Sequence, residues 1–483
     1  MRLLLHTGLL AAIGIGLTGS PVVADITTTI NPASNRGSWE GWGVSLAWWG
    51  KIFGTRSDLA DIFFTKNLVS YSGSTLPGLG LNIVRYNAGA SSSNSINGTT
   101  MASNSILSSR KIDGYWIDWT SSSPSSSSWS WGVDTNQRNM MALAKARGVD
   151  RFELFSNSPM WWMCSNHNPA GASDGGENIQ SWNIANHAVY LATIAKYAHD
   201  NWGITFTSVE PFNEPSSSWW KSTNNQEGSH FSIATQTQVI SALRTELNNR
   251  GLSSTAVSAS DENTYDLAVS TWNSFNSTIR GKIGRINVHG YQQTSGRRDL
   301  LYSAASAAGL KIWNSEYGDS DATGTQLAQS LLLDFSTLHP TAWTYWQAVD
   351  GSGWGLITGD VEAGSLSSAT KKYFVLAQFT RHIREGMRIL DSGNSAVAAA
   401  YDATNRKLVI VAANFNSGQY INFDLSKFSQ PSTNGAAVAR WSTHLTSSEQ
   451  YASYSDTVMS GTKFWSYFDQ NTVQTFEVNN VSL

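Results

Sequence analysis

The chain has 483 residues, 41% hydrophobic, 11% aromatic and only 14% charged, with a formal net charge of −3. A globular chain typically carries about 25% charged residues; with no basic surplus to neutralise phosphates, nucleic acid is excluded as a partner. Low charge combined with 21 Trp, 16 Tyr and 18 Phe excludes a disordered chain and leaves the Trp excess to be explained.

Residues 1–24 read as a secretory signal, with Arg2 as the basic start, an apolar run over 9–17 and small residues at Val22-Val23-Ala24. A buried N-terminal helix is the alternative. A secreted, extracellular protein is expected, without a membrane span, because no later run reaches the roughly 20 apolar residues required. Residues 25–40 open with D-I-T-T-T-I, a strand expected to join the edge of the C-terminal module.

Over residues 41–385, short apolar runs alternate with helical stretches. Strands are predicted at 43–47, 82–86, 152–155, 206–209, 256–259, 286–289, 311–314 and 342–345. Helices are predicted at 136–147, 181–201, 232–250, 299–308 and 324–338. In the second of these, Trp182, Ala185, Val189, Ala192 and Ala195 fall at helical spacing and predict one packed face. Eight strand–helix units predict an α/β fold, a (β/α)8 TIM barrel. An open doubly wound sheet would carry a Gly-rich phosphate loop after its first strand, and none is present.

The low-complexity segment 121–132 reads as an exposed loop. After residue 385 β-type runs dominate, at 397–401, 408–413, 420–424, 437–441, 463–468 and 473–478, so residues 386–483 predict an attached all-β sandwich. Cys164, the single cysteine, forms no intramolecular disulfide and is expected to be a buried thiol. Asn97, Asn276 and Asn480 head N-x-S/T glycosylation sequons.

Two motifs carry the chemistry. E-P-F-N-E-P, residues 210–215, follows the fourth strand, and I-W-N-S-E-Y-G, residues 312–318, ends the seventh. A barrel unit averages about 31 residues, so Glu214 and Glu316 stand three units apart at strand C-termini, the rim where barrel active sites are built. Two carboxyls facing one cleft suit glycosidic bond cleavage, one protonated for the leaving oxygen and one ionised. The alternative is a pair of ordinary surface or salt-bridged glutamates.

Around them, Asn213 is placed to bond a sugar hydroxyl or simply to form a turn. Arg85 ends the second strand, where it orients a carboxylate or makes a structural ion pair. His289 and Tyr291 alternate onto one face at the sixth strand, with the Tyr291 hydroxyl placed to hold Glu316 or to satisfy the core. Trp48, Trp161 and above all Trp346 are candidate platforms for the apolar faces of sugar rings, against core filling as the alternative. Asp261-Glu262 are rim polar groups or a solvated turn. No H-E-x-x-H, Cys–His cluster or calcium-loop pattern appears, so neither metal nor cofactor is called for.

The fourth-strand N-E, the seventh-strand Glu, the second-strand Arg and H-x-Y together resemble the clan A retaining glycoside hydrolases. Adding the C-terminal β-module, the chain resembles glycoside hydrolase family 30. Phe152 to Met163 (F-E-L-F-S-N-S-P-M-W-W-M) and Gly41 to Trp49 (G-W-G-V-S-L-A-W-W) are similar to its fungal endo-β-1,6-galactanase branch. The resemblance implies Glu214 as acid/base, Glu316 as nucleophile and a sandwich fixed to the barrel. It implies a polysaccharide substrate, β-1,6-galactan; a monomer is expected. β-1,6-Glucan or glucuronoxylan is the alternative substrate, the latter calling for a basic clamp near the rim; Arg297-Arg298 is a candidate basic pair, but lying after the sixth strand it is expected rather to open a helix. A non-catalytic carbohydrate-binding protein is the alternative from another class.

Overall fold

The computed structural model describes residues 26–483, so the signal expected at 1–24 lies outside it. All eight predicted barrel strands form, with ends shifted by up to three residues. They run Gly41–Ser45, Ile83–Asn87, Arg151–Phe155, Ser208–Glu210, Ala256–Glu262, Arg285–His289, Ile312–Tyr317 and Ala342–Tyr345. Every neighbouring pair is parallel, and the eighth strand closes on the first through Ala342↔Gly41 and Tyr345↔Val44. Helices cover the outside, so nearly every strand residue is buried, which is why the strands read as continuous runs rather than alternations. Gly41 (φ +145°) is required at the closure, since a Cβ there would meet the Asn82 carboxamide at 2.0 Å. That carboxamide accepts from the Trp42 N–H at 3.1 Å, tying the first strand to the second.

The C-terminal region forms a six-stranded antiparallel sheet facing a three-stranded one. Ile26–Thr29 supplies an edge of the smaller sheet, pairing in parallel with Gln419–Asp424. In the larger sheet Leu408, Ile410 and Ala412 point into the sandwich core, while Val409, Val411 and Ala413 join the barrel's hydrophobic core. Helix Lys371–Thr380 lies between, and its Gln378 side chain bonds Thr443 at 2.9 Å and Thr475 at 2.6 Å. A sheet buried on both faces is fixed to its neighbour, as the family resemblance implied. Strand Ala452–Val458 escaped prediction because it is an exposed edge with little apolar alternation.

Two local expectations are corrected. The helix predicted at 181–201 begins as a 3-10 turn, Ser181–Asn183, before the α-helix Ile184–Tyr197. The packed face of that helix carries residues such as Ala188, Leu191 and Ala195, whereas Ala185 of the predicted face is exposed, Val189 is half-buried and Trp182 is 73% exposed. The loop at 121–132 is exposed only over its serine run. Its Trp129 is buried in a stack of Trp116, Trp129, Trp131 and Tyr197, with the last two rings 3.6 Å apart.

Candidate active site

The fourth barrel strand runs into P-F-N-E-P, which turns back across the rim. Glu214 takes φ +50°, a conformation that costs a non-glycine residue about 1–2 kcal/mol, and its N–H donates to the Asp261 carbonyl at 2.8 Å. Glu316 is the penultimate residue of the seventh strand and pairs in register with His289 of the sixth. Register shifts in the fifth, sixth and seventh strands re-aim side chains at this end of the barrel. One carboxylate oxygen each from Glu214 and Glu316, together with a His289 ring nitrogen, lie within 4.8 Å of one another.

Each carboxylate is held by its own partners. Tyr291 donates its hydroxyl to Glu316 Oε1 at 2.8 Å, and Arg85 donates to Oε2 at 3.1 Å. Asn263 donates to Glu214 Oε1 at 2.7 Å. His289 Nδ1 stands between the two glutamates, 3.2 Å from Glu214 and 3.5 Å from Glu316, while its Nε2 is 3.5 Å from Asp261. Below this layer Arg85 also bonds Asp261 and, at 2.9 Å, Glu153, which Arg285 binds in turn. Arg85 is thus the cation for three carboxylates, all with almost no exposure.

Burial alone would lower the His289 pKa, but the carboxylates of Glu316 and Asp261 raise it to about 10, so it is an imidazolium at neutral pH. Burial would raise Asp261, yet Arg85 and then His289 hold it at about 2. Burial raises the Glu316 carboxyl, opposed by His289 and Arg85. Burial also pushes Glu210 well above the usual carboxylate range. Neither Glu210 oxygen has a hydrogen-bond partner among the described residues.

These shifts set the pH dependence of stability. The His289 contribution is complete below its ordinary pKa of 6.5 and is lost as pH rises through about 10. The Asp261 contribution is complete above 3.8 and is lost as pH falls towards about 2. Urea unfolding is therefore expected to show stability declining on the alkaline side of pH 6.5, with His289→Gln flattening that decline. A wild-type midpoint constant from pH 6.5 to 10 would contradict the imidazolium assignment.

The cleft above the pair has a volume of about 430 Å3 and is walled by Trp48, Trp220, Trp346, Trp354, Arg110 and Asp350. A second cavity shares Glu214, Trp220, Tyr291 and Trp354 with it, so the cleft continues past the carboxylates. Trp346 lines the cleft, in edge contact with Trp48 at 5.2 Å. Trp48 also lines it, with the Arg110 guanidinium 4.3 Å from its ring centroid. Asn213 lines it too, and its Oδ1 has no protein partner among the described residues. Trp161 is a correction: it is fully buried, its indole N–H donates to the Ser92 hydroxyl, and it does not line the cleft. Asp261 and Glu262 are another, since both are completely buried by the register shift rather than solvated.

Arg297 and Arg298 form no clamp. Arg298 is buried against Asp334, and Arg297 pairs with Asp299 at the start of helix Arg298–Ala307. Glu153, Asn263, Arg110, Asp350 and Trp354 escaped sequence reasoning. Of these only Glu153, within F-E-L-F, carried a signal: a charge inside an apolar strand. Cys164 is buried, and burial pushes its thiol up to about 12. Asn97, Asn276 and Asn480 are all exposed.

A closed (β/α)8 barrel with two glutamates on its C-terminal rim, in a cleft walled by tryptophan, defines a glycoside hydrolase. The model of O-glycosyl hydrolase family 30 matches residues 25–283, and an endo-β-1,6-galactanase from Hypocrea rufa is 60% identical over 98% of this chain and 99% of that protein. The chain belongs to O-glycosyl hydrolase family 30. Among solved structures, the catalytic domain of xylanase C from Talaromyces cellulolyticus superposes with a TM-score of 0.70 at 20% identity, covering 95% of this chain and 100% of that one. A conserved exported protein from Bacteroides fragilis gives a TM-score of 0.74 at 16% identity over 94% of this chain and 100% of its own. These two share the fold.

Proposed function

We propose that the protein is a secreted, monomeric endo-glycosidase that cleaves β-1,6-galactan with retention of configuration, using Glu214 as acid/base and Glu316 as nucleophile. The approach of their carboxylate oxygens to within 4.8 Å carries the mechanism. Retaining enzymes place the two carboxyls about 5–5.5 Å apart, whereas inverting ones need about 6.5–9.5 Å to admit a water. A cleft that continues past the carboxylates supports attack within a chain. Among the described residues no helix is long and apolar enough to cross a membrane.

In the first step Glu214 gives its proton to the glycosidic oxygen as the C–O bond breaks, and the Glu316 carboxylate bonds to the anomeric carbon. Arg85 and Tyr291 hold both Glu316 oxygens, fixing the attack direction. In the second step Glu214, now a carboxylate, takes a proton from water. The water oxygen bonds to the anomeric carbon and Glu316 leaves. Asn213 is positioned on the cleft wall to bond a sugar hydroxyl as charge develops on the ring.

The galactan assignment is supported by the 60% identity to the Hypocrea rufa enzyme along nearly the whole of both chains. Against an acidic xylan, the cleft cation Arg110 already stacks on Trp48 and donates to Asn225 Oδ1 at 3.1 Å, and the Asp350 carboxylate lines the same cleft. Incubation with β-1,6-galactan, β-1,6-glucan and glucuronoxylan tests the substrate. Short β-1,6-galacto-oligosaccharides are expected from the first alone, and equal or greater release from either of the others would refute the assignment.

A further inference from the structure

Four tryptophans are largely exposed, and two of them, Trp182 at 73% and Trp119 at 41%, face one another across a single groove. With Trp162 they wall a cavity of about 390 Å3, within the range of small-ligand sites. Its polar lining is amide and imidazole: Gln180, Asn183, Asn186 and His167. The amides form a relay, Asn186 donating to Asn183 at 2.8 Å and Asn183 to Gln180 at 2.6 Å. Among the described residues no Asp, Glu, Lys or Arg lines the groove, so its chemistry matches an uncharged ligand. Indole faces take the apolar C–H face of a pyranose, and side-chain amides take its hydroxyls.

The groove lies on the catalytic face. Trp119 belongs to the loop after the second barrel strand, which also sends Arg110 into the cleft. The remaining lining follows the third strand. That loop is bridged to the one after the fourth strand through Ala172↔Lys221 and Glu177↔His230, and Asn168 donates to the Ser222 carbonyl at 3.0 Å. The bridged loop carries Trp220 and Gln226 of the cleft wall. The surface between cleft and groove is thus one connected rim.

We propose that this groove is a second sugar-binding site, which holds a neutral β-linked galactan chain outside the cleft and so favours polymer over short substrates. It rests on the galactan reading above. A chain held at two places meets the cleft at a raised effective concentration, without any new contact at the reacting bond.

The test compares wild type with Trp182→Ala and with Trp119→Ala/Trp182→Ala. Substrates are polymeric β-1,6-galactan and a chromogenic aryl glycoside of β-1,6-galactobiose. KM for the polymer is expected to rise about tenfold in the double variant, equivalent to about 1.4 kcal/mol. Its kcat/KM on the short glycoside and its Tm should be unchanged. Unchanged polymer kinetics would overturn the proposal, as would an equal loss on both substrates, which signals general damage. A wild-type protein that leaves galactan intact would instead overturn the substrate reading, and the ligand assigned here with it.

Discussion

Replacing Glu316 by Gln is expected to lower kcat on β-1,6-galactan by at least about 10^4-fold, the scale seen when a covalent nucleophile is removed. The amide is nearly isosteric, and the carboxamide oxygen still accepts from Tyr291 or Arg85, so the fold should survive. What is lost is the ionised oxygen that bonds to the anomeric carbon. KM should change far less, because the cleft walls at Trp346, Trp48 and Asn213 are left untouched. The smaller Glu316→Gly variant separates roles further. Added azide would enter from the vacated face and give a glycosyl azide of inverted, α configuration. In Glu214→Ala the nucleophile is intact, so azide would displace it in the second step and give the β product. Near-wild-type turnover in Glu316→Gln, or a β-azide from Glu316→Gly, would remove Glu316 from the nucleophile role.

Arg85→Met is expected to have the second largest effect. The guanidinium is completely buried and serves Glu153, Asp261 and Glu316 at once. Removing the shared cation leaves buried carboxylates uncompensated, a change that costs about 3–5 kcal/mol. The Glu316 carboxyl, already raised by burial, loses one of the two charges that oppose it. Its pKa rises further, the ionised fraction at a given pH falls, and the acid limb of kcat/KM moves to higher pH. Arg85→Lys keeps the charge but not the fork that reaches three partners, so it should recover only part of either loss. Denaturant unfolding gives the stability change and a pH–rate profile gives the shift. A stability change under about 1 kcal/mol with an unmoved acid limb would show that Arg85 neither supports the carboxylates nor holds Glu316 ionised.

Much of this was legible in the residues alone. Eight apolar runs at barrel spacing place eight parallel strands, and strand ends are where barrel sites stand, so Glu214, Glu316, Arg85 and His289 could be named together. Their motifs are local: a strand followed by N-E-P, and a strand ending S-E-Y. Asp261 and Glu153 are different. Glu153 shows only as a charge inside an apolar strand and Asp261 only as a polar group near a strand end; their partners appear when the barrel closes and the register shift at Ser260/Glu262 turns Asp261 inwards to Arg85 and His289. A charge network depends on which distant strands become neighbours, and closure decides that.

The tryptophans divide the same way. Composition determined that the chain is aromatic-rich and weakly charged, which suits a neutral polysaccharide. Spacing could not determine which indoles fill the core and which meet sugar. Trp161 and Trp162 are adjacent in sequence, yet the first is sealed beneath the rim and the second lines a groove. Trp182 reads as part of a packed helical face with Ala185, and both are exposed in the structure. Local sequence sets helical and strand periodicity, because backbone sterics act over a few residues. Exposure of a given side chain is set by packing between elements far apart in the chain, and only the tertiary structure decides it.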